Sequence, residues 1–177
     1  MNYEQSINYI HSIPKFRRPL GNANLEKLLT HLDNPQKKLK FIHIAGTNGK
    51  GSTAAMTAEI LKKSGFKTGL FTSPYLEVFN ERIRINGENI TDNDLAEYVT
   101  RVKTIMEENN ALVSEFAFIT AVSFLYFYEK QCDIVVLEVG MGGKLDATNV
   151  IDSSLVSVIC KIGLDHTQYL GNTIEEI

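Results

Sequence analysis

Hydrophobic positions along the chain alternate between helical and extended spacing. Apolar residues recur every three or four positions over residues 22–32, which predicts an amphipathic helix. Residues 41–45 are instead a short apolar run, typical of a buried strand. The same criteria predict further helices over residues 2–13, 52–64, 91–109 and 115–130, and strands over residues 67–71, 133–139 and 155–160. This alternation predicts an α/β fold, a mostly parallel sheet with helices on both faces.

Local signals refine these boundaries. Asn86 and Gly87 separate two short extended segments, so we expect a small hairpin over residues 82–90. Gly65 is placed to end a helix, and Thr91, followed by an acidic residue three positions later, is placed to cap one. Thr173–Glu176 has the capping-box pattern and predicts another helix. Because a helix of one turn is not stable alone, we expect residues 1–177 to be a domain truncated at its C-terminal end.

Composition and charge exclude several classes of protein. Hydrophobic residues make up 44% and charged residues 22% of the chain, with a net charge of −3, which is typical of a globular protein that does not bind nucleic acid. No apolar run reaches membrane-spanning length, and the N-terminus lacks a signal-peptide pattern, so a cytoplasmic protein is expected. Cys132 and Cys160 lack metal-binding spacing and are predicted to be buried free thiols.

The strongest chemical signal is the glycine-rich segment 46–52, between a predicted strand and a predicted helix. Glycines let the backbone turn its N–H groups toward phosphate oxygens, and the helix start adds the positive end of its dipole. In this pattern Lys50 neutralises the β- and γ-phosphates and the Ser52 hydroxyl ligates Mg²⁺. We therefore predict that ATP is bound by Thr47, Asn48, Gly49, Lys50, Gly51 and Ser52.

This segment departs from the general GxxxxGK[ST] pattern. Ile44 occupies the place of the first glycine, and Gly51 separates Lys50 from Ser52. The alternative is a glycine-rich turn with a surface lysine. The strand–loop–helix context favours phosphate binding.

Residues 43–52 resemble the nucleotide loop of the Mur ligase superfamily, and the Asn-Gly-Lys-Gly-Ser form is similar to that of the folylpolyglutamate synthase/dihydrofolate synthase family. Residues 72–83, 137–149 and 165–171 agree with the same family, in the same order. The resemblance implies a P-loop-containing fold like the central domain of Mur ligases. It also implies that residues 1–177 form the ATP-binding domain, and that a C-terminal glutamate-binding domain lies outside the sequence.

The resemblance implies an ATP-dependent ligase of folate metabolism, in which an acyl phosphate of the acceptor reacts with L-glutamate. Lys50 and His166 are then expected to be catalytic, and Ser52, Ser73, Glu138 and His166 to hold Mg²⁺. The implied partners are small molecules, namely ATP, folate or dihydropteroate, and L-glutamate. The protein is expected to be a monomer. Substrate contacts are implied for Phe79, Arg82, Glu115, Phe116 and Leu145, with Leu145 beside the pterin.

Residues 140–143 superficially resemble a dinucleotide fingerprint. Because the full glycine spacing is missing, we interpret them as a tight loop that approaches a substrate, held by Asp146 and Asn149 through side-chain to backbone bonds.

Several assignments have a structural alternative. A glutamate at a strand end, such as Glu138, is often a salt-bridged structural residue, and Mg²⁺ prefers oxygen ligands over an imidazole such as that of His166. Phe116 belongs to an apolar stripe, most of which we expect to be helix core. The remaining histidines are interpreted as structural, namely His11, His31 and His43.

Two other functions are compatible with the loop. One is a Mur-type ligase acting on a cell-wall precursor or an amino-acid polymer, and the other is a non-catalytic P-loop module that binds partners. The folate-type stretch 72–83 favours the folate ligase.

We predict that purified residues 1–177 do not ligate glutamate. The family's carbamylated lysine and its glutamate-binding domain lie outside the sequence, so the chemical step lacks part of its machinery. Incorporation of labelled glutamate into folate checks this, and measurable product from residues 1–177 alone would contradict it.

Overall fold

The computed structural model describes residues 1–17 and 21–177. Its α-helices are α1 (Tyr3–Ser12), α2 (Ala23–His31), α3 (Lys50–Lys63), α4 (Asp92–Glu108), α5 (Glu115–Glu129) and α6 (Thr167–Leu170). Its strands are β1 (Phe41–Ala45), β2 (Thr68–Phe71), β3 (Ile83–Ile85), β4 (Glu88–Asn89), β5 (Ile134–Glu138) and β6 (Val156–Ile159). Short 3-10 helices cover Pro35–Lys38, Phe79–Arg82 and Ala147–Val150.

These strands form one six-stranded sheet in the order β4-β3-β2-β5-β1-β6. Strands β2, β5, β1 and β6 run parallel, whereas β3 and β4 form the antiparallel hairpin predicted around Asn86 and Gly87. Strand β5 lies in the middle and is buried throughout its length. The predicted α/β fold with a mostly parallel sheet is confirmed.

Helices cover both faces of the sheet, as predicted. On one face Ile44, Leu70 and Val136 pack with Ala54 of helix α3. On the other face Phe41 of strand β1 packs edge-on against Phe124 of helix α5, with ring centroids 5.6 Å apart. Helices α1, α2 and α4 then pack against α5 from outside.

Helix α5 is enclosed between the sheet and the outer helices, which explains its apolar sequence. Eleven of its residues are buried, from Ala117 to Phe127 without a break. A helix hydrophobic on every side is the expected solution for such a central position. The apolar stripe around Phe116 is therefore mostly core, in agreement with the sequence interpretation.

Strand β6 differs from the other parallel strands because it lies at an edge of the sheet. Its side chains are largely exposed, with Ile159 at 74% relative exposure. The strand itself was predicted from its apolar run, but that run does not reveal which side of the strand has a neighbour.

Helix boundaries agree with the sequence except at two places. Helix α3 begins at Lys50 instead of Ser52, because Gly49 has the left-handed φ of 87° and serves as its N-cap. Thr173–Glu176 does not open a helix. Thr173 and Glu176 exchange the two capping-box bonds, at 3.3 Å each, but the segment is a turn, because these bonds alone do not offset the cost of helix nucleation.

The other local predictions hold. The Thr91 hydroxyl accepts the N–H of Asp94 at 3.1 Å, and Gly65 follows the end of α3 with a φ of 90°. Cys132 is buried as predicted, whereas Cys160 is only half-buried because it follows the exposed edge strand. No helix of the described residues is long and apolar enough to cross a membrane.

We predict that Gly69→Ala destabilises the fold. A Cβ at Gly69 would lie 2.8 Å from Cδ1 of Phe127, so strand β2 and helix α5 would have to separate. Overpacking of this kind costs about 1–3 kcal/mol. Urea denaturation of the purified chain checks this. Gly143→Ala is the control, because no atom lies within 4 Å of its added Cβ, and equal effects of both substitutions would contradict the prediction.

Candidate active site

The predicted site residues gather at the carboxyl ends of the parallel strands. The loops that follow β1, β2, β5 and β6 meet there, at the edge of the sheet where α/β proteins bind ligands. A cavity of roughly 250 Å³ lies between the loops that follow β1, β5 and β6. Its lining includes polar side chains from these loops and from the start of helix α3, namely Lys50, Lys144, Asp165 and His166.

The glycine-rich loop ends in an open helix N-terminus. The first bond that closes the helix runs from the Thr53 N–H to the Gly49 carbonyl, at 2.9 Å. The N–H groups of residues 50–52 precede that bond, so they are the donors that a helix N-terminus offers to an anion. This arrangement agrees with the predicted phosphate loop.

Gly46 brings the loop against the end of strand β6. It has a φ of 137°, and a Cβ there would lie 2.8 Å from the Cβ of Cys160. The close approach lets the N–H groups of Thr47 and Asn48 donate to the Lys161 carbonyl, at 3.0 and 3.2 Å. In this structure the N–H groups of Thr47 and Asn48, predicted to bind phosphate, therefore fix the loop to the segment that follows strand β6.

Thr47 adds a second brace through its side chain. Its hydroxyl lies 3.0 Å from both the carbonyl oxygen and the N–H nitrogen of Gly163. The loop is thus fixed to residues 161–163, which lie more than a hundred positions later in the chain. Sequence reasoning assigned Thr47 and Asn48 to the nucleotide and gave no indication of this bracing.

The Lys50 ammonium is held against the backbone of the glycine-rich loop. It donates to the carbonyl oxygens of Gly46 and Thr47, at 2.8 and 3.3 Å. These bonds place a positive charge beside the helix N-terminus, inside the cavity. The combination favours a negatively charged ligand.

Glu138 is a buried carboxylate at the end of the central strand, with 3% relative exposure. Its Oε2 accepts the N–H of Ser73 at 2.9 Å, and Gly51 approaches so closely that an added Cβ would lie 3.6 Å from Oε1. Burial raises the pKa of Glu138, while the Ser73 bond and the charges of Lys50 and Arg82 oppose that rise. A Cβ at this distance would be in ordinary van der Waals contact, so the start of helix α3 packs directly beside the carboxylate.

The predicted metal ligands occupy two parts of the site. Ser73 and Glu138 lie together, whereas His166 lines the cavity with Lys50 and Ser52 lies exposed on helix α3. Among residues 1–17 and 21–177, no three His, Cys, Asp or Glu side chains form a group that could hold a metal ion. The metal roles of Ser52, Ser73, Glu138 and His166 all stay predictions.

Arg82 is half-buried, and its charge acts on Glu138. Its guanidinium lies over the rings of Tyr75 and Phe79, 5.2 and 5.3 Å from their centroids. Burial lowers the pKa of Arg82, and the negative charges of Glu115 and Glu138 oppose that effect. Its Nε is buried and lacks a hydrogen-bond partner within the described residues.

Of the predicted substrate contacts, Phe79 lies in the core, with 5% relative exposure, where its ring supports Arg82 instead of facing a ligand. Oε1 of Glu115 lies 3.1 Å from Nδ1 of His11 and accepts its N–H in the tautomer that carries a proton there. Phe116 is half-buried and packs against the Gly140 backbone, and Leu145 is 61% exposed beside that loop.

Glu81 is a site-forming residue that sequence reasoning did not single out. Its carboxylate accepts the N–H groups of Leu76, Glu77 and Val78, at 2.7, 3.2 and 3.2 Å. The bond from Leu76 contributes most to lowering the pKa of Glu81. Glu81 thereby shapes the loop between Ser73 and Arg82. No capping-box pattern pointed to it, because Val78, three residues earlier, has no side-chain acceptor.

Comparison with known proteins agrees with this geometry. Residues 44–177 match the Mur ligase middle domain, so the chain belongs to the Mur ligase family. It is 43% identical to a folylpolyglutamate synthase of Lacticaseibacillus casei, over 100% of this chain and 42% of that protein. It is 42% identical to the dihydrofolate synthase/folylpolyglutamate synthase of Bacillus subtilis, over 99% of this chain and 42% of that protein.

Solved structures show the same similarity. An FPGS–AMPPCP–folate complex matches with a TM-score of 0.94 and 42% identity, covering 99% of this chain and 44% of that one. E. coli FolC in complex with DHPP and ADP matches with a TM-score of 0.90 and 30% identity, covering 99% of this chain and 42% of that one. The chain thus spans about two fifths of the length of these relatives, with 42% of the curated ones covered.

We predict that Glu138→Gln does not destabilise the fold and raises its free energy of unfolding. A buried charge costs free energy, and the amide keeps the shape and can still accept the Ser73 N–H. Urea denaturation without nucleotide checks this, with Glu59→Gln, an exposed carboxylate of helix α3, as the control. Marked destabilisation by Glu138→Gln would instead assign Glu138 to a structural ion pair.

Proposed function

We propose that this chain is the nucleotide-binding part of an ATP-dependent ligase that adds L-glutamate to folate, and to dihydropteroate as well. The observation that carries the proposal is the loop 46–52. Its Lys50 ammonium and open helix N-terminus face one cavity, next to the buried carboxylate of Glu138. Similarity to complexes named for AMPPCP, ADP, folate and DHPP supports the same activity.

ATP is the proposed nucleotide, bound with its phosphates at the start of helix α3. The N–H groups of residues 50–52 and the ammonium of Lys50 supply positive charge at this point. Thr47 and Asn48 support the loop through Lys161, so we propose that their backbone role in ATP binding is indirect.

Mg²⁺ is the proposed metal cofactor, and the residues present fit it. Glu138 is a buried carboxylate that accepts one hydrogen bond among the described residues, from the N–H of Ser73. The hydroxyl of Ser73 belongs to the same part of the site. Oxygen ligands of these kinds suit a hard cation. Ser73 and Glu138 would hold the ion, whereas Ser52 and His166 lie in other parts of the site and stay predicted ligands. Bound there, Mg²⁺ would offset negative charge on the transferring phosphoryl group.

The acceptor is proposed to lie on the Arg82 side of Glu138. The buried, unpartnered Nε of Arg82 is a donor suited to a carboxylate, and its charge favours an anionic ligand. Phe116 and the exposed Leu145 offer apolar surface for a flat ring system. Glu115, whose negative charge acts on Arg82, supplies a further hydrogen-bonding group.

The proposed reaction has two steps. An acceptor carboxylate oxygen attacks the γ-phosphorus of ATP, which forms an acyl phosphate and releases ADP. The amino group of L-glutamate then attacks the acyl carbon, phosphate leaves with the bonding electrons, and the nitrogen loses a proton to become an amide. Lys50 and the helix N–H groups stabilise negative charge on the phosphoryl oxygens in the first step.

This chain contributes mainly positioning to that reaction. The acceptor carboxylate has to lie in line with the γ-phosphate of ATP. Holding the two groups in this geometry accounts for much of the reduction in the activation barrier. The sheet edge supplies this because the loop after β1 holds the nucleotide while the loops after β2 and β5 hold the acceptor. We also propose that the full-length protein acts as a monomer on these small molecules.

We predict that Lys50→Ala in the full-length protein lowers kcat for glutamate addition by about 10²–10³-fold, the loss typical of a residue that stabilises transition-state charge. Glutamate incorporation and ADP release are measured together, with tetrahydrofolate and dihydropteroate as acceptors. Calorimetry with ATP and Mg²⁺ measures binding on the same samples.

Lys63→Ala is the matched control, because this lysine lies on the same helix and pairs only with exposed Glu59 in the described residues. It should leave turnover unchanged. Unaltered turnover in Lys50→Ala would overturn the proposal. Activity with UDP-linked precursors and none with folates would assign the chain to another Mur-type ligase, and nucleotide-dependent partner binding without ADP release would indicate a switch.

A further inference from the structure

A buried chain of hydrogen bonds joins strand β1 to the loop that follows strand β5. Nε2 of His43 lies 2.8 Å from the hydroxyl of Thr148, and that hydroxyl lies 2.6 Å from Oδ1 of Asp146. Asp146 Oδ1 also accepts the Thr148 N–H, at 3.0 Å. Its other oxygen, Oδ2, accepts the N–H of Met141 at 2.9 Å.

The direction of each bond follows from the groups involved. Asp146 accepts from two backbone N–H groups, so the Thr148 hydroxyl donates to it and has its lone pairs left for His43. The imidazole must therefore donate through Nε2–H. Burial lowers the pKa of His43, and the negative charge of Asp146 opposes this, so the neutral Nε2–H tautomer satisfies the chain.

The three side chains occupy well-packed positions. His43 lies on the same face of strand β1 as Phe41, toward helix α5, and is two residues from the end of that strand. Thr148 is fully buried and Asp146 nearly so. Apolar residues could fill such positions without the cost of burying polar groups, so a complete polar chain here points to the group at its far end.

That group is the main chain of residues 140–145. A Cβ at Gly140 would lie 2.6 Å from Cζ of Phe116 and 3.1 Å from Oδ2 of Asp146, so the backbone is pressed against both. Residues 140–144 line the cavity opposite Lys50, and the exposed Leu145 comes next. The shape of this wall therefore depends on where the Asp146 carboxylate is held.

We propose that His43 and Thr148 are positioning residues for acceptor binding: acting through Asp146, they fix residues 140–145 in the shape that receives the folate or dihydropteroate ring. This inference rests on the proposed ligase function. The nucleotide loop has its own support from Lys161 and Gly163, so disturbing the chain of bonds should affect the acceptor far more than ATP.

Thr148→Val and Thr148→Ser in the full-length protein test the proposal. Valine keeps the volume and removes the hydroxyl, which leaves Nε2–H of His43 without its acceptor and removes one of the three hydrogen bonds to Asp146, whereas serine restores both bonds. Loss of a buried hydrogen bond of this kind corresponds to about a tenfold effect. We expect Thr148→Val to raise KM for the acceptor about tenfold with KM for ATP within twofold, and Thr148→Ser to recover the wild-type value.

A second pair of variants acts at the other end. His43→Gln retains a donor at the position of Nε2, and His43→Leu does not, so only the leucine variant should raise the acceptor KM. Thr104→Val, an exposed threonine of helix α4, is the control for the chemical change. If Thr148→Val proves unfolded by circular dichroism, the His43 pair decides the question.

Hydrogen exchange of the Met141 amide gives a readout that does not require activity. Faster exchange in Thr148→Val and in His43→Leu, but not in Thr148→Ser or His43→Gln, is expected. Unchanged exchange, or equal increases in KM for ATP and acceptor, would overturn the positioning role. The exchange pattern of the Met141 amide could also be as expected while the wild-type protein ligates no glutamate to folate or dihydropteroate. That result would contradict the proposed function, and the acceptor assignment with it.

Discussion

The burial of one carboxylate, that of Glu138, organises this end of the molecule. It ends the central strand, accepts the Ser73 N–H and lies against Gly51, so the loops after β1 and β2 converge on it. Lys50 and Arg82 supply positive charges that act on it. A charge taken out of water needs such compensation. The proposed nucleotide and acceptor sites, which contain Lys50 and Arg82, are therefore coupled electrostatically through Glu138.

Much of the fold follows from local patterns in the sequence. Apolar runs predicted β1, β2, β5 and β6, and the caps at Thr91 and Gly65 are formed as expected. Helix α3 begins two residues earlier than predicted, because the left-handed conformation of Gly49 depends on the whole loop. Thr173 shows the reverse case, since its capping bonds form and the helix does not.

The site was predictable in its composition and less so in its contacts. The glycine-rich loop could be recognised from its motif and Glu138 from its position at a strand end. The hydrogen bonds of Thr47 and Asn48 to the Lys161 carbonyl, far along the chain, could not. Phe79 could be placed in a functional stretch, yet its burial depends on helix α1 and its neighbours. Pairings between distant segments are set by tertiary packing, which local spacing does not encode.

Strand β6 has a consequence for how the polypeptide behaves on its own. Its outer backbone groups have no strand beside them among the described residues, and Val156 and Ile159 present apolar surface there. Open, apolar edges of this kind add strands from other molecules when none is supplied within the same one. Residues 1–177 in isolation thus carry an aggregation-prone border that reaches the cavity, because Ile159 also belongs to the cavity lining, and the influence of this border grows with concentration.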